Sequence, residues 1–290
     1  MMRKKILAIQ GSKLNKVNIK TDTTLSLAIE AQKRGYKVYY FEPQNLSYIN
    51  GKIKAKCLCL TLFENRNFFY KTVKILNFDL SKADVILIRN NPPFNQQYIN
   101  STFILEHIEK KVKIINNPKS IREVPEKLFS MHLSKYMPPT LISENPEEIK
   151  IFFKKNKNII IKPINGYSGN EVILLKKFNN RIIKKYIKKY NHVMFQKFLP
   201  KISNGDKRVF IINGIIKGSI SRIPKKGSVL SNLSKGAVAK KNTLTKKEIK
   251  ISKEVALLLS KKNIYFAGID FIQEKLIGDI NVTSPTGLKT

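Results

Sequence analysis

The chain has 290 residues, 42% hydrophobic and 26% charged, and its 55 Lys and Arg against 20 Asp and Glu give a net charge of +35. Basic residues are mixed with regular apolar runs, which excludes a disordered polycation and suits a globular chain of about two or three domains. No apolar run approaches the ~20 residues of a membrane span, and Ile6–Ile9, after the basic start, is too short for a signal peptide, so the chain reads as cytoplasmic with no membrane partner.

In chain order, Lys5–Ile9 reads as a buried strand. Thr23–Arg34 reads as a helix that Asp22 or Thr23 can cap and Gly35 ends. Lys37–Phe41 and Asp84–Ile88 are further strands, Asn100–Lys111 a helix, and Lys113–Ile115 a short strand. This alternation predicts a parallel sheet covered on both faces. Ligands bind such sheets beyond the carboxyl ends of strands, where Arg89 stands just before Pro92 and Pro93. The character changes after about Pro125. Asn158–Pro163 is a strand carrying Lys162, followed by the turn Asn165–Gly169 and the strand Glu171–Leu175. Arg181–Tyr190 is a basic amphipathic helix and Val193–Phe198 a strand. Lys207–Ile212 and Ile215–Ile220 flank Asn213-Gly214, a strong hairpin signal. Ser228–Lys241 reads as a loop, Lys246–Lys261 as a helix, and Tyr265–Ile272 with Leu276–Val282 as a final strand pair.

The positive charge does not by itself call for a nucleic acid. Arginines number 8, leaving 55 − 8 = 47 lysines. Arginine is the residue that reads bases and phosphates bidentately. The lysines accompany many isoleucines and asparagines, all with A/T-rich codons, so no specific nucleic-acid partner is expected. Cys57 and Cys59 lie two apart on one strand face and read as packing residues. His107, His132 and His192 are too scattered for a metal or triad site.

Three groups of residues can carry chemistry. Asp279 and Asn281 lie at i and i+2 on the last strand, opposite Asp270 on its neighbour. Two carboxylates and an amide oxygen on one face suit an oxygen-seeking cation such as Mg²⁺; equally, these acids could face water or pair with lysines. In Asn165-Gly166-Tyr167-Ser168-Gly169 the glycines let backbone N–H groups approach an anion, although an ordinary hairpin has the same composition. The turn Asn204–Arg208 delivers Asp206, able to bind a ribose hydroxyl, and Arg208, able to bind a phosphate or carboxylate, or else is simply a charged turn.

Taken together, the motifs resemble the bacterial glutathione synthetase family of the ATP-grasp superfamily, over essentially the whole chain. The resemblance is carried by Asn18–Thr24, Glu30–Gly35, Ile88–Phe94, Glu126–Phe129, Ile161–Pro163, Phe198–Pro200, Asn204–Val209, Arg222–Pro224, Gly268–Asp270 and, most specifically, Asp279–Gly287. It implies an α/β (α+β overall) ATP-grasp fold with an N-terminal Rossmann-like domain for the peptide over residues 1–125. An ATP-grasp lid subdomain over 126–199 and a metal-binding subdomain over 200–290 would follow. The implied reaction joins γ-glutamylcysteine to glycine with ATP as co-substrate and Mg²⁺, or Mn²⁺ in its place, in a chain that forms a homo-oligomer. By this resemblance Lys127 and Lys162 contact the nucleotide, Asn165, Gly166, Tyr167, Ser168 and Gly169 cover its phosphates, Gln196, Lys197, Phe198 and Leu199 form the adenine hinge, and Asp206 holds the ribose. Asp270, Asp279 and Asn281 hold the metal, and Arg222 and Arg208 stabilise developing charge. Asn18, Lys20, Asp22, Arg89, Asn232 and Ser284 serve the substrates.

The chain departs from the family pattern at several points. Asp279 replaces a usual Glu, shortening reach by ~1.5 Å. Leu230 and Ser231 replace a usual Arg-Gly, with Lys225, Lys226 or Lys235 the nearby cations to compensate; Gly11, Asn91 and Asn95 replace usual acids. The family continues into a further helix where this chain stops at Thr290. Two alternatives therefore stay open: another ATP-grasp carboxylate–amine ligase, and a decayed non-catalytic homologue with incidental polyanion binding.

Overall fold

The computed structural model describes residues 3–19, 21–65, 68–228 and 230–288, so Lys20 lies outside the described residues. Three sheets follow one another along the chain. The first is built from β1 (Ile6–Gly11), β2 (Lys37–Phe41), β3 (Leu46–Ile49), β4 (Lys52–Leu62), β5 (Tyr70–Asp79), β6 (Val85–Arg89) and β7 (Lys113–Ile115), with helices α1 (Thr23–Lys33), α2 (Gln96–Glu106) and α3 (Pro118–Glu123). Its parallel part runs β2-β1-β6-β7. Leu7 and Ile9 pack under α1 while Ala8, Ile86 and Ile88 pack under α2, the period-2 alternation that a doubly covered sheet requires. Asp22 caps α1 by accepting from Leu25 N at 2.7 Å, and Gly35 follows it at φ +83°.

Two differences from the sequence expectation lie here. The sheet is not parallel throughout: β3, β4 and β5 extend it as an antiparallel meander beyond β2. In β4 only alternate residues such as Ile53, Ala55 and Cys57 are buried, and β5 is largely exposed, so neither presents a continuous apolar run. The second helix begins at Gln96, earlier than expected, because Asn95 accepts from Tyr98 N at 3.0 Å and caps it.

The second sheet holds β8 (Thr140–Ser143), β9 (Ile159–Pro163), β10 (Ile173–Leu175) and β11 (Val193–Lys197) in the order β10-β9-β11-β8. Helices α4 (Pro146–Asn156) and α5 (Asn180–Tyr190) cover one face over Ile159, Ile161, Val193 and Phe195. Strict alternation then turns Lys162 and Gln196 to the opposite face. The third sheet holds β12 (Asp206–Ile212), β13 (Ile215–Ile223), β14 (Val238–Lys241), β15 (Phe266–Ile272) and β16 (Lys275–Asn281), backed by α6 (Lys246–Lys261). Asn213 (φ +49°) and Gly214 (φ +73°) make the two-residue turn between β12 and β13. Strand β14 forms within the expected Ser228–Lys241 loop by pairing with β13.

Asn116 ties the first sheet to the third. Its amide donates to Phe266 O (2.7 Å) and Val282 O (2.6 Å) and accepts from Tyr265 N (2.9 Å) and Phe266 N (2.8 Å). The N-terminal domain is thereby held against the end of the cleft between the other two sheets.

Candidate active site

A cleft of about 810 Å³ opens between the second and third sheets, with the N-terminal domain at one end. Its floor is set by sheet register. On the face of β12 opposite α6, Asp206 lies directly across from Arg222 of β13, and Arg208 directly across from Asp270 of β15. Cross-strand neighbours of opposite charge attract. Arg208 grips Asp270 with two parallel bonds of 2.8 and 2.7 Å. Arg222 grips Asp206 from Nε at 2.7 Å and from Nη2, which also reaches Asp270 at 2.9 Å. Ser231 donates to Asp206 at 2.5 Å, and Asn281 Nδ2 donates to Gly268 O (3.0 Å) and Asp270 (3.4 Å).

All four charged residues are at most 6% exposed. Burial pushes the Asp270 carboxyl up, but Arg208 and Arg222 outweigh it and hold it well below the usual carboxylate range. For Asp206 burial prevails over Arg222 and the carboxyl is raised.

A second cluster faces this floor. Asp279 sits beside the left-handed Gly278 (φ +82°), where the β15–β16 register shifts. It approaches Lys127 Nζ at 3.3 Å and Lys162 Nζ at 3.9 Å. Lys127 also donates to Gly166 O (2.5 Å), and Lys162 to Gln196 Oε1 (3.1 Å) and Ile277 O (2.9 Å). Burial lowers the Lys162 pKa, while Lys127 and Lys162 together hold Asp279 low against its own burial. Among the described residues no three His, Cys, Asp or Glu cluster as a metal site. The available oxygens are Asp270, Asp279 and the Asn281 amide, all lining the cleft. That set fits Mg²⁺, which keeps waters and shares substrate phosphates instead of demanding an all-protein cage.

The structure brings together nearly every residue singled out from sequence. Gly166, Tyr167, Ser168 and Gly169 form one rim, with Ser168 (φ +53°) and Gly169 (φ +69°) both left-handed. A Cβ on Gly169 would meet Asn232 Oδ1 at 2.6 Å and Leu230 Cδ2 at 3.0 Å, so this loop and the Leu230–Leu233 segment touch across the cleft. Gln196, Lys197, Phe198 and Leu199 line the hinge side. Lys197 N and Phe198 N are spent on Pro139 O and Asn158 O, whereas Leu199 N has no such bond among the described residues. Asn18, Asp22 and Ser284 line the end nearest the N-terminal domain.

Two residues stand aside. Asn165 lines a small neighbouring chamber, and Arg89 a narrow pocket under α1. Arg89 is fixed by bonds to Thr24 Oγ1 (3.0 Å) and Pro285 O (2.9 Å), its Nη1 is buried without a partner, and burial lowers its pKa to about 10.

Sequence reasoning missed Glu126, Ser231, Thr283 and the Ser12–Val17 segment, all on the wall. Glu126 had a signal, since it adjoins Lys127 in the quoted Glu126–Phe129 motif; Ser231 had none, because its bond to Asp206 depends on the loop fold. Leu230 lines the cleft, but among the described residues Lys225, Lys226 and Lys235 do not; Lys13 and Lys16 do, from the N-terminal domain.

The family model for the prokaryotic glutathione synthetase N-terminal domain matches residues 6–122, and that for the prokaryotic glutathione synthetase ATP-grasp domain matches residues 126–290. The glutathione synthetase of Buchnera aphidicola is 39% identical over 287 residues, 97% of this chain and 88% of that protein. The Escherichia coli glutathione synthetase is 35% identical over 289 residues, covering 98% and 91%. Among solved structures, D-cycloserine synthetase DcsG aligns with TM-score 0.66 at 11% identity, covering 97% of this chain and 92% of that one. D-alanyl-alanine synthetase A of Vibrio cholerae aligns at 0.62 with 15% identity, covering 98% and 90%. These two likenesses establish the ATP-grasp fold. With two adjoining family models and full-length relatives above 30% identity, the chain belongs to the prokaryotic glutathione synthetase family.

Proposed function

We propose that the protein is an ATP-dependent ligase that joins γ-glutamylcysteine to glycine, giving glutathione, ADP and phosphate. The observation that carries this reading is the meeting of four fixed cations, Lys127, Lys162, Arg208 and Arg222, with the oxygens of Asp270, Asp279 and Asn281 in one cleft.

In this reading the cysteinyl carboxylate of the dipeptide attacks the γ-phosphorus of ATP, the bond to ADP breaks, and an acyl phosphate forms. The glycine amine, having lost one proton from its ammonium form, then attacks the acyl carbon; the tetrahedral intermediate gives up a second proton to solvent as inorganic phosphate leaves. Both steps gather negative charge, which preorganised cations stabilise without any protein nucleophile. Lys127 and Lys162 serve the nucleotide phosphates under the Asn165–Gly169 loop, and Leu199 N–H faces the adenine edge. Arg208 and Arg222 serve the acyl phosphate. Asp206 lines the cleft near the sugar; Arg222 Nη2 and Ser231 occupy its Oδ2, whereas Oδ1 accepts only Arg222 Nε and keeps a lone pair for a ribose hydroxyl. Asn18, Asp22, Asn232 and Ser284 surround the peptide, and Arg89, set back under α1, holds Pro285 O behind them. Asp270, Asp279 and Asn281 would hold Mg²⁺, or Mn²⁺, which when bound supplies Lewis-acid neutralisation of the phosphates.

The three successive sheets support a division into residues 1–125, 126–199 and 200–290. No helix among the described residues is long and apolar enough to cross a membrane; the ATP-consuming reaction suits the cytoplasm. Among the described residues strand β5 pairs only with β4 and exposes Val73 (60%) and Ile75 (58%), which supports self-association of two copies along that edge.

Coupled ADP release tests the activity. Release is expected only when γ-glutamylcysteine and glycine are both present; folded protein with ample Mg²⁺ and no glycine-dependent release refutes the reading.

A further inference from the structure

The N-terminal domain reaches the cleft through the segment that follows β1, where Ser12, Lys13, Lys16 and Val17 line the wall. The only regular structure in this segment is one turn of 3-10 helix, Leu14–Lys16, so its course depends on its anchors. Leu14 is buried in the apolar cluster under α1. Ser12, at the start, is gripped from both sides. Tyr40 Oη, on β2, donates to Ser12 O at 2.5 Å, and Asn91 N, just past β6, donates to Ser12 Oγ at 3.3 Å. The two strands that flank β1 thus both hold the first residue beyond it.

The Tyr40 grip exists because residue 11 has no side chain. Tyr40 pairs with Ile9, and Gly11 lies two residues further along β1, so both face α1. The Tyr40 ring crosses Gly11 on its way to Ser12. A Cβ on Gly11 would overlap the hydroxyl and stand 2.6 Å from Cζ and 3.0 Å from Cε2, well inside the ~3.5–4.0 Å of a carbon contact. The φ of Gly11 is not positive, so close approach, and not backbone freedom, is what requires glycine here. Tyr40 is 6% exposed and lines the narrow pocket under α1 beside Arg89, not the cleft. Burial raises its pKa, which keeps the hydroxyl a donor at neutral pH.

We infer that Tyr40, admitted by Gly11, is a positioning residue: its hydroxyl fixes the Ser12–Val17 wall and so holds Lys13 and Lys16 at the N-terminal end of the cleft. The inference rests on the ligase reading above and adds a residue that acts from behind the wall and touches no substrate. Lys13 and Lys16 are both exposed, and they bring positive charge to the end of the cleft where the anionic dipeptide enters. Loss of the Tyr40 bond frees the start of the segment, with Leu14 left to anchor its middle. Dipeptide binding should then weaken, while the nucleotide end, built from the second and third sheets, is untouched.

Tyr40→Phe removes the hydroxyl and keeps the ring. It is expected to raise the γ-glutamylcysteine KM about fivefold or more, while kcat and the ATP KM stay within about twofold. Amide hydrogen exchange over residues 13–17 should quicken about fivefold or more, with the neighbouring strands unchanged. Gly11→Ala should reproduce both effects, because its methyl drives the hydroxyl off Ser12. The double variant Gly11→Ala/Tyr40→Phe should match Gly11→Ala alone, since one bond can be lost only once. A thermal melt confirms folding, and Tyr40→Phe decides alone if Gly11→Ala does not fold. Unchanged exchange, an unchanged dipeptide KM, or equal rises in the dipeptide and ATP KM values in Tyr40→Phe overturn the positioning role. Effects that multiply in the double variant overturn it too. Those results leave the ligase reading standing if the wild type still joins glycine. A wild type that releases no ADP with glycine overturns both, and is recognised before any variant is made.

Discussion

Arg222→Ala probes the buried network that joins stability to the site. Arg222, Asp206 and Asp270 have side chains only 4%, 3% and 5% exposed. Removing the guanidinium leaves Asp270 with its two bonds to Arg208, at 2.8 and 2.7 Å, but leaves Asp206 with the Ser231 hydroxyl alone. One carboxylate is stranded, not two. Breaking a buried pair from one side costs ~3–5 kcal/mol. The lower end, ~3 kcal/mol, applies here because burial already raises the Asp206 carboxyl toward protonation. The double variant Arg222→Ala/Asp206→Asn leaves no charge stranded and should recover ~1–2 kcal/mol. Urea denaturation at pH 7 of the wild type, the single variant and the double variant measures all three. A single variant within ~0.5 kcal/mol of wild type, or a double variant no more stable than the single, would refute the claim that this arginine neutralises Asp206.

Further outcomes follow from the same structure. Asn116→Ala should cost about 3 kcal/mol in urea melts, since four backbone groups, three of them buried, lose their partner at once, and Asn116→Asp should not restore it, lacking the two donors. Asp270 has a folded pKa below its unfolded value, so its contribution is complete above about pH 4 and is lost as pH falls through the lower folded value. The stability gap between wild type and Asp270→Asn should therefore be widest at neutral pH and shrink below pH 4; a gap that grows on acidification contradicts the ion-pair assignment. Burial pushes the Cys57 thiol up to about 12, so a thiol reagent at pH 8 should modify only Cys59 in the native protein and both cysteines in denaturant.

Much of this protein was readable in one dimension. The helix Lys246–Lys261 was legible to the residue because Thr245 and Glu248 form a capping box around a regular apolar stripe. Asn213-Gly214 fixed a hairpin because both positions need φ > 0. The pairing of Asp270 with the Asp279–Asn281 segment was legible because a strand's period of two forces i and i+2 to one face. Sequence could also isolate the few acids and arginines that matter, since they stand out against a uniform lysine background.

Tertiary structure decided the rest. Whether Arg208 faces Asp270 and Arg222 faces Asp206 depends on the register between β12, β13 and β15, which no local propensity encodes. The meander β3–β5 escaped reading because an edge strand is stabilised by its neighbour's backbone and not by its own apolar run. Lys127 and Asp279, 152 residues apart, become a 3.3 Å pair only when the second and third sheets close on one another. Composition and periodicity determined which elements form and which residues are scarce enough to matter. Only packing between distant strands determined which charges are satisfied and by which partners.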